Sequence, residues 1–144
     1  MKKLLIAFVL VLASNLIFAQ NTTYQGVVEE FFKLYEENGP NEAVDFIFST
    51  NKYLESNTDQ VTAIKLKLGT AVAVIGEYSG YEPVIVKEIG QSMVQGTYMV
   101  KYARQPLFFT FIMYKPDKYW QIQTLRFDDK LTDEQIDRFE NKAE

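Results

Sequence analysis

The chain contains no cysteine and no histidine. Without a thiol there is no disulfide and no residue to carry a cysteine-linked lipid. Without an imidazole, Ser-His-Asp and Cys-His catalysis are excluded, and the common zinc sites with them. Glycine-rich phosphate loops are missing too. Neither GxGxxG nor GxxxxGK[ST] occurs, and Gly76-Glu77-Tyr78-Ser79-Gly80 lacks the Lys and the preceding strand that such a loop needs. Positive charge is in deficit: 15 Lys and Arg stand against 19 Asp and Glu, a net charge of −4. An acidic domain is repelled by phosphate backbones, so nucleic acid is not an expected partner. The acidic pairs Asp128-Asp129 and Asp133-Glu134 lack the alternating pattern and central Gly of a calcium loop. No metal and no cofactor are expected.

The one long apolar run lies at the N-terminus. Lys2 and Lys3 precede Leu4–Ala13, ten apolar residues without a break, and Leu16-Ile17-Phe18-Ala19 follows before Gln20. This is the basic, apolar and small-residue succession of a secretory signal peptide, with Ala19 before the cut. A membrane-spanning helix needs about 20 apolar residues, and this run is shorter and interrupted by Ser14 and Asn15. The reading is therefore a signal over 1–19, a single domain over 20–144, export to the periplasm or beyond, and no stable membrane anchor. Losing Lys2 and Lys3 takes the net charge from −4 to −6. A domain of this size buries about two-thirds of its unfolded surface and needs no covalent staples.

Beyond residue 20 the hydrophobic period changes once. Val27, Phe31, Leu34 and Tyr35 recur at helical spacing behind a Thr22/Gln25 capping box, and Asn38-Gly39-Pro40 stops that helix. Asn41 is placed to cap a second, short helix with Val44, Ile47 and Phe48. Ser49–Asn57 is polar and reads as irregular. Thr58-Asp59 opens a longer helix with Val61, Ile64, Leu68, Val72 and Ile75 on one side. Gly69, inside it, is costly for a helix and reads as a close helix–sheet contact. From Glu82 onward the period is 2. Strands are predicted over Pro83–Ile89, Met93–Arg104, Leu107–Lys115 and Tyr119–Phe127, with a bulge at Gly96. Thr132 and Gln135 form a second capping-box pair, opening a short C-terminal helix. Helices first and strands afterwards is the α+β pattern, with N-terminal helices packed on one face of a four-stranded antiparallel sheet.

This order resembles the cystatin-like, NTF2-like cone fold, in which a curved sheet wraps a long helix. Gly80-Tyr81-Glu82, Tyr98-Met99-Val100-Lys101-Tyr102, Arg104-Gln105-Pro106-Leu107, and Tyr114-Lys115-Pro116 with Trp120-Gln121-Ile122 look like a group of small exported NTF2-like domains of unassigned function from Bacteroidota. The strand hairpin usual between the second and third helices of that superfamily is reduced here to Ser49–Asn57. The resemblance implies the fold and an open cavity. It implies no single activity, because the superfamily includes enzymes, carriers and binding modules.

Three function classes follow. The first is a non-catalytic exported domain binding a small amphipathic ligand or a protein partner in the cell envelope. Its candidate ligand-binding residues are Tyr98, Tyr102 and Arg104, in phase along one strand, and Trp120: aromatic bodies with polar tips, beside a guanidinium able to hold an anion. The second is a small acid–base enzyme of isomerase or hydratase type, for which the resemblance implies a Tyr and carboxylates in the cone. Tyr24, Tyr35, Asp45 and Glu88 are available, though charged side chains are mostly solvent-facing, and no residue is assigned a catalytic role. The third is a structural interaction protein. The third strand is apolar on both faces, with Phe109, Phe111 and Met113 against Phe108, Ile112 and Tyr114. A sheet covered on one side should alternate apolar with polar. Either a homodimer through Phe108, Ile112 and Tyr114 or the C-terminal helix folding back would cover the second face.

Overall fold

In the computed structural model, which describes residues 22–140, four helices precede a four-stranded sheet and a fifth helix follows it. Helix α1 (Tyr24–Asn38) buries Val27, Val28, Phe31, Phe32 and Tyr35. Its cap is Thr23 and not Thr22: the Thr23 hydroxyl accepts from Gly26 N at 3.1 Å, satisfying one of the amides a helix start leaves without partners. Gly39 ends the helix at φ +92°, a conformation that side chains resist. Helix α2 (Pro40–Ser49) then starts on the proline itself, one residue ahead of Asn41, because a first-turn residue needs no N–H. The polar segment after it is not wholly irregular. Asn51 caps a single turn, α3 (Lys52–Glu55), and Asn57 caps α4 (Thr58–Ile75). Among α4 residues, Val61, Leu68 and Ile75 are buried. Gly69 makes no close contact; a Cβ there would meet nothing within 4 Å.

The sheet is an antiparallel meander in the order β1 (Tyr78–Ile89), β2 (Met93–Tyr102), β3 (Leu107–Tyr114), β4 (Gln121–Asp128). Strand β1 begins five residues before the predicted Pro83. Gly80, at φ +116°, sits inside the strand where the pairing slips between Tyr78 and Gly80. Gly96 is not a bulge: it pairs regularly with Val86 and Phe111. Its missing side chain instead makes room, since a Cβ would lie 2.9 Å from the Tyr98 ring. The bulge of the hairpin falls between Pro83 and Ile85, where Pro has no N–H to give the ladder.

Alternation divides the sheet into two faces. Toward the helices lie Val94, Tyr98, Val100 and Tyr102 of β2 and Leu107, Phe109, Phe111 and Met113 of β3, all buried. Phe31 meets Phe109 and Phe111 at ring separations of 6.2 and 5.1 Å. The helical layer is also tied to the last strand by polar groups. Asn51, 3% exposed, donates from Nδ2 to Ile122 O at 2.7 Å, and Ile122 N donates to Thr50 Oγ1 at 3.0 Å. Both backbone groups of one edge-strand residue are thereby satisfied.

On the outer face, Phe108 and Ile112 are half-buried and Tyr114 is exposed. Thr97 and Thr110 are cross-strand partners there, with hydroxyls 2.9 Å apart. Helix α5 (Asp133–Glu140) folds back onto this pair through Gln135, whose Nε2 donates to Thr97 Oγ1 at 2.8 Å. The second capping box is present as read: Gln135 Oε1 accepts from Thr132 N, and Gln135 N donates to Thr132 Oγ1. The predicted signal over 1–19 lies outside the described residues.

Candidate functional site

A groove of about 290 Å³ opens between the first turns of α1 and the β1–β2 hairpin. Its walls are Tyr24, Gln25, Val28 and Glu29 on one side and Tyr81, Pro83, Val86 and Tyr98 on the other. On α1, Tyr24 with Val28 and Gln25 with Glu29 are one turn apart and stack along the same edge. On β1 the bulge does the positioning. Tyr81 and Pro83 share the helix-facing side through their partners Val100 and Tyr98, and one extra residue then moves that side to Val86 and Glu88, opposite Gly96 and Val94.

Three phenol rings dominate the lining. Tyr81 stacks on Phe32 at 3.8 Å with an interplanar angle of 15°. Tyr98 meets Phe111 and Tyr81 edge-on at 5.7 and 6.1 Å and extends over the backbone of Gly96. Tyr24 packs edge-on against Trp120 at 5.6 Å, and its hydroxyl donates to Glu88 Oε1 at 3.3 Å. Burial pushes the Tyr98 phenol up to about 12, helped by Tyr24, Tyr81 and the Glu29 carboxylate. Tyr24 is raised by burial and then by the Glu88 charge, and Tyr81 by burial and then by Glu29. All three are therefore neutral hydroxyls at physiological pH, able to donate or accept.

Tyr98 is 7% exposed, and among the described residues its hydroxyl has no hydrogen-bond partner. A buried hydroxyl left in that state costs about 1–3 kcal/mol. The group faces a groove from which a bound molecule or water can reach it.

The four residues predicted as a binding set divide among three locations. Tyr98 lines the groove, and Trp120 backs it through Tyr24. Tyr102 is in the core, its hydroxyl 2.6 Å from that of Tyr35 and its ring beside Tyr78. Arg104 is not on the strand. β2 ends at Tyr102, and the exposed guanidinium donates from Nη1 to Val74 O at 3.1 Å, near the C-terminal end of α4, where a cation is favoured by the helix dipole. Of the carboxylate and phenol candidates, Tyr24 and Glu88 do come together. Asp45 is exposed and ion-paired with Lys65. Glu29 and Tyr81 were not singled out in the sequence. The available signals were the i, i+4 spacing of Glu29 from Gln25 and the aromatic at Tyr81 two residues before Pro83. Among the described residues no three acidic side chains converge to hold a cation, and no helix is long and apolar enough to cross a membrane.

Fold and site together define an α+β domain with helices on one face of an antiparallel meander and a small aromatic groove at their junction. Comparison with protein-family models, with curated proteins and with solved structures finds no match to this chain.

Proposed function

We propose that this is a non-catalytic, exported domain of NTF2-like cone architecture that binds a small amphipathic ligand in the groove between α1 and the β1–β2 hairpin. The observation that carries the reading is the Tyr98 hydroxyl: buried, unpartnered among the described residues and facing a groove lined mostly by aromatic and aliphatic side chains, with Gln25 and Glu29 on its helical wall. Ligand sites of this kind are concave and mostly apolar, with a few placed polar groups. Helices before strands, with the helices packed on one side of a meander, support the cone assignment. The isomerase or hydratase alternative calls for a carboxyl held in apolar surroundings, whereas Asp45 and Glu88 are both exposed. Export rests on the apolar run that ends at Ala19.

The test is a panel of small amphipathic metabolites followed by Trp120 fluorescence and by amide chemical shifts. Because Trp120 is the only tryptophan and contacts Tyr24, occupancy of the groove should alter its emission. Shifts should concentrate in Tyr24–Glu29 and Tyr81–Tyr98. A panel that perturbs neither would overturn the reading.

A further inference from the structure

The groove has a definite electrostatic character. Of the eight residues lining it, the only charged one is Glu29. At its rim the Glu88 carboxylate accepts from Tyr24, and neither Glu29 nor Glu88 is ion-paired among the described residues. Lys33, one turn along α1 from Glu29, pairs with Glu30 at 3.6 Å. Lys101 pairs with Glu82 at 3.9 Å, and Lys115 lies over the Trp120 ring at 5.4 Å. Lys87 is paired with Gln95, whose other neighbour Ile112 belongs to the outer face. The rings of Tyr24, Tyr81 and Tyr98 line the same groove. Their faces carry the negative side of an aromatic quadrupole, and an organic cation over such a face is attracted beyond its burial. The Tyr98 hydroxyl, buried and without a partner among the described residues, is a second and independent polar contact in the groove, since its oxygen can accept from an ammonium N–H.

We infer that the groove is selective for a small organic cation, an amine with a flat or compact apolar body, its body against Tyr24, Tyr81 and Tyr98 and its ammonium drawn by the carboxylates of Glu29 in the lining and Glu88 at the rim. The inference rests on the ligand-binding reading above and narrows it. It also reverses the polarity expected from Arg104, which lies beyond the end of β2 and bonds to Val74.

Three soluble probes that differ in one terminal group separate the possibilities: phenethylamine, 2-phenylethanol and phenylacetate. They are cationic, neutral and anionic at neutral pH, and none obscures tryptophan emission. Titrated into ¹⁵N-labelled protein at low salt, phenethylamine should bind about fivefold more tightly than 2-phenylethanol, and phenylacetate should bind weakest. The Glu29→Gln, Glu88→Gln double variant should lose most of the amine's advantage over the alcohol and keep only the part due to the tyrosine rings and hydroxyl, and raising the salt should narrow the gap in the unmodified protein. If the alcohol or the acid shifts the groove amides at concentrations as low as the amine does, the charge selectivity is wrong and the groove still binds ligands. If none of the three shifts those amides, the binding reading fails and the selectivity fails with it.

Discussion

Gln135 and Thr97 join the last helix to the second strand through one hydrogen bond of 2.8 Å, made by a side chain that also caps its own helix. The amide of Gln135 thus holds two structures at once. Its oxygen accepts from Thr132 N, and its nitrogen reaches a buried threonine pair at the centre of the outer face. Ending the chain after Lys130 should uncover Thr97, Thr110 and the neighbouring Phe108 and Ile112. Light scattering should then show self-association of the shortened chain at concentrations where the full chain does not associate, because an enlarged apolar patch invites contact. Phe108→Asp in the shortened chain should restore the smaller species.

Two glycines make opposite predictions. Gly96→Ala places a methyl group 2.9 Å from the Tyr98 ring, and overpacking of this kind costs about 1–3 kcal/mol. Gly69 lies within α4, where a Cβ meets nothing within 4 Å. Gly69→Ala should therefore stabilise by about 0.5–1 kcal/mol through helix propensity. Urea unfolding of the two variants should move the midpoint down for the first and up for the second. A stabilised Gly96→Ala would mean that the Tyr98 ring moves aside freely.

The Tyr35–Tyr102 pair should behave as a unit. Its hydroxyls are 2.6 Å apart in the core, so Tyr102→Phe leaves the Tyr35 hydroxyl buried and alone at a cost of about 1–3 kcal/mol. Replacing both by Phe removes both demands, and the double variant should lose less than the sum of the single losses. Strict additivity in thermal unfolding would show that the two hydroxyls do not depend on each other.

Stability should fall in alkali. Burial is the first cause raising Tyr35, Tyr78 and Tyr98 to about 12, and it raises Tyr102 further still. A tyrosine is neutral when protonated, and an unfolded chain releases that proton near pH 10. Above that pH the native state holds more protons than the unfolded state, so stability declines with rising pH. The contribution is fully present below about pH 10 and is lost as the pH passes through about 12. The melting temperature should be flat with respect to these groups up to pH 10 and drop between 10 and 12, with a shallower drop in the Tyr35→Phe, Tyr102→Phe variant.

Export predicts a new N-terminus. Mass spectrometry of the protein recovered from its native envelope should begin at Gln20, cyclised or not. Mature protein that retains Met1 would remove the basis for an exported role.

Helix positions were legible because apolar period and breakers agree: Val27 to Tyr35 before Asn38-Gly39-Pro40, and Val61 to Ile75 after Asn57. The two faces of β3 were legible from strict alternation, Phe109, Phe111 and Met113 against Phe108, Ile112 and Tyr114. Where β2 ends was not. Arg104 continues the phase of Tyr98 and Tyr102, and phase alone cannot say that the ladder stops two residues earlier. Glycine was ambiguous for a similar reason. Gly80 precedes the strand predicted from Pro83 and is within β1, and Gly96 reads as a bulge and is a space for a ring. The site was half legible. Tyr98 and Trp120 belong to it, but its acidic side depends on a one-residue slip at Pro83 that decides whether Lys87 or Glu88 turns toward α1. Local composition does not record such a slip.

The contact from Tyr24 to Glu88 spans 64 positions, which also sets when the groove can exist during synthesis. Its helical wall is made first, yet it stands alone until the chain has been translated as far as Tyr98 and the β1–β2 hairpin has closed. Contacts between distant parts of a chain form late, because the intervening loop must be ordered first. Trp120 then comes up behind Tyr24. The groove is therefore a property only of chains folded through the β1–β2 hairpin, and a copy that stops or misfolds before it carries residues of the groove without the groove.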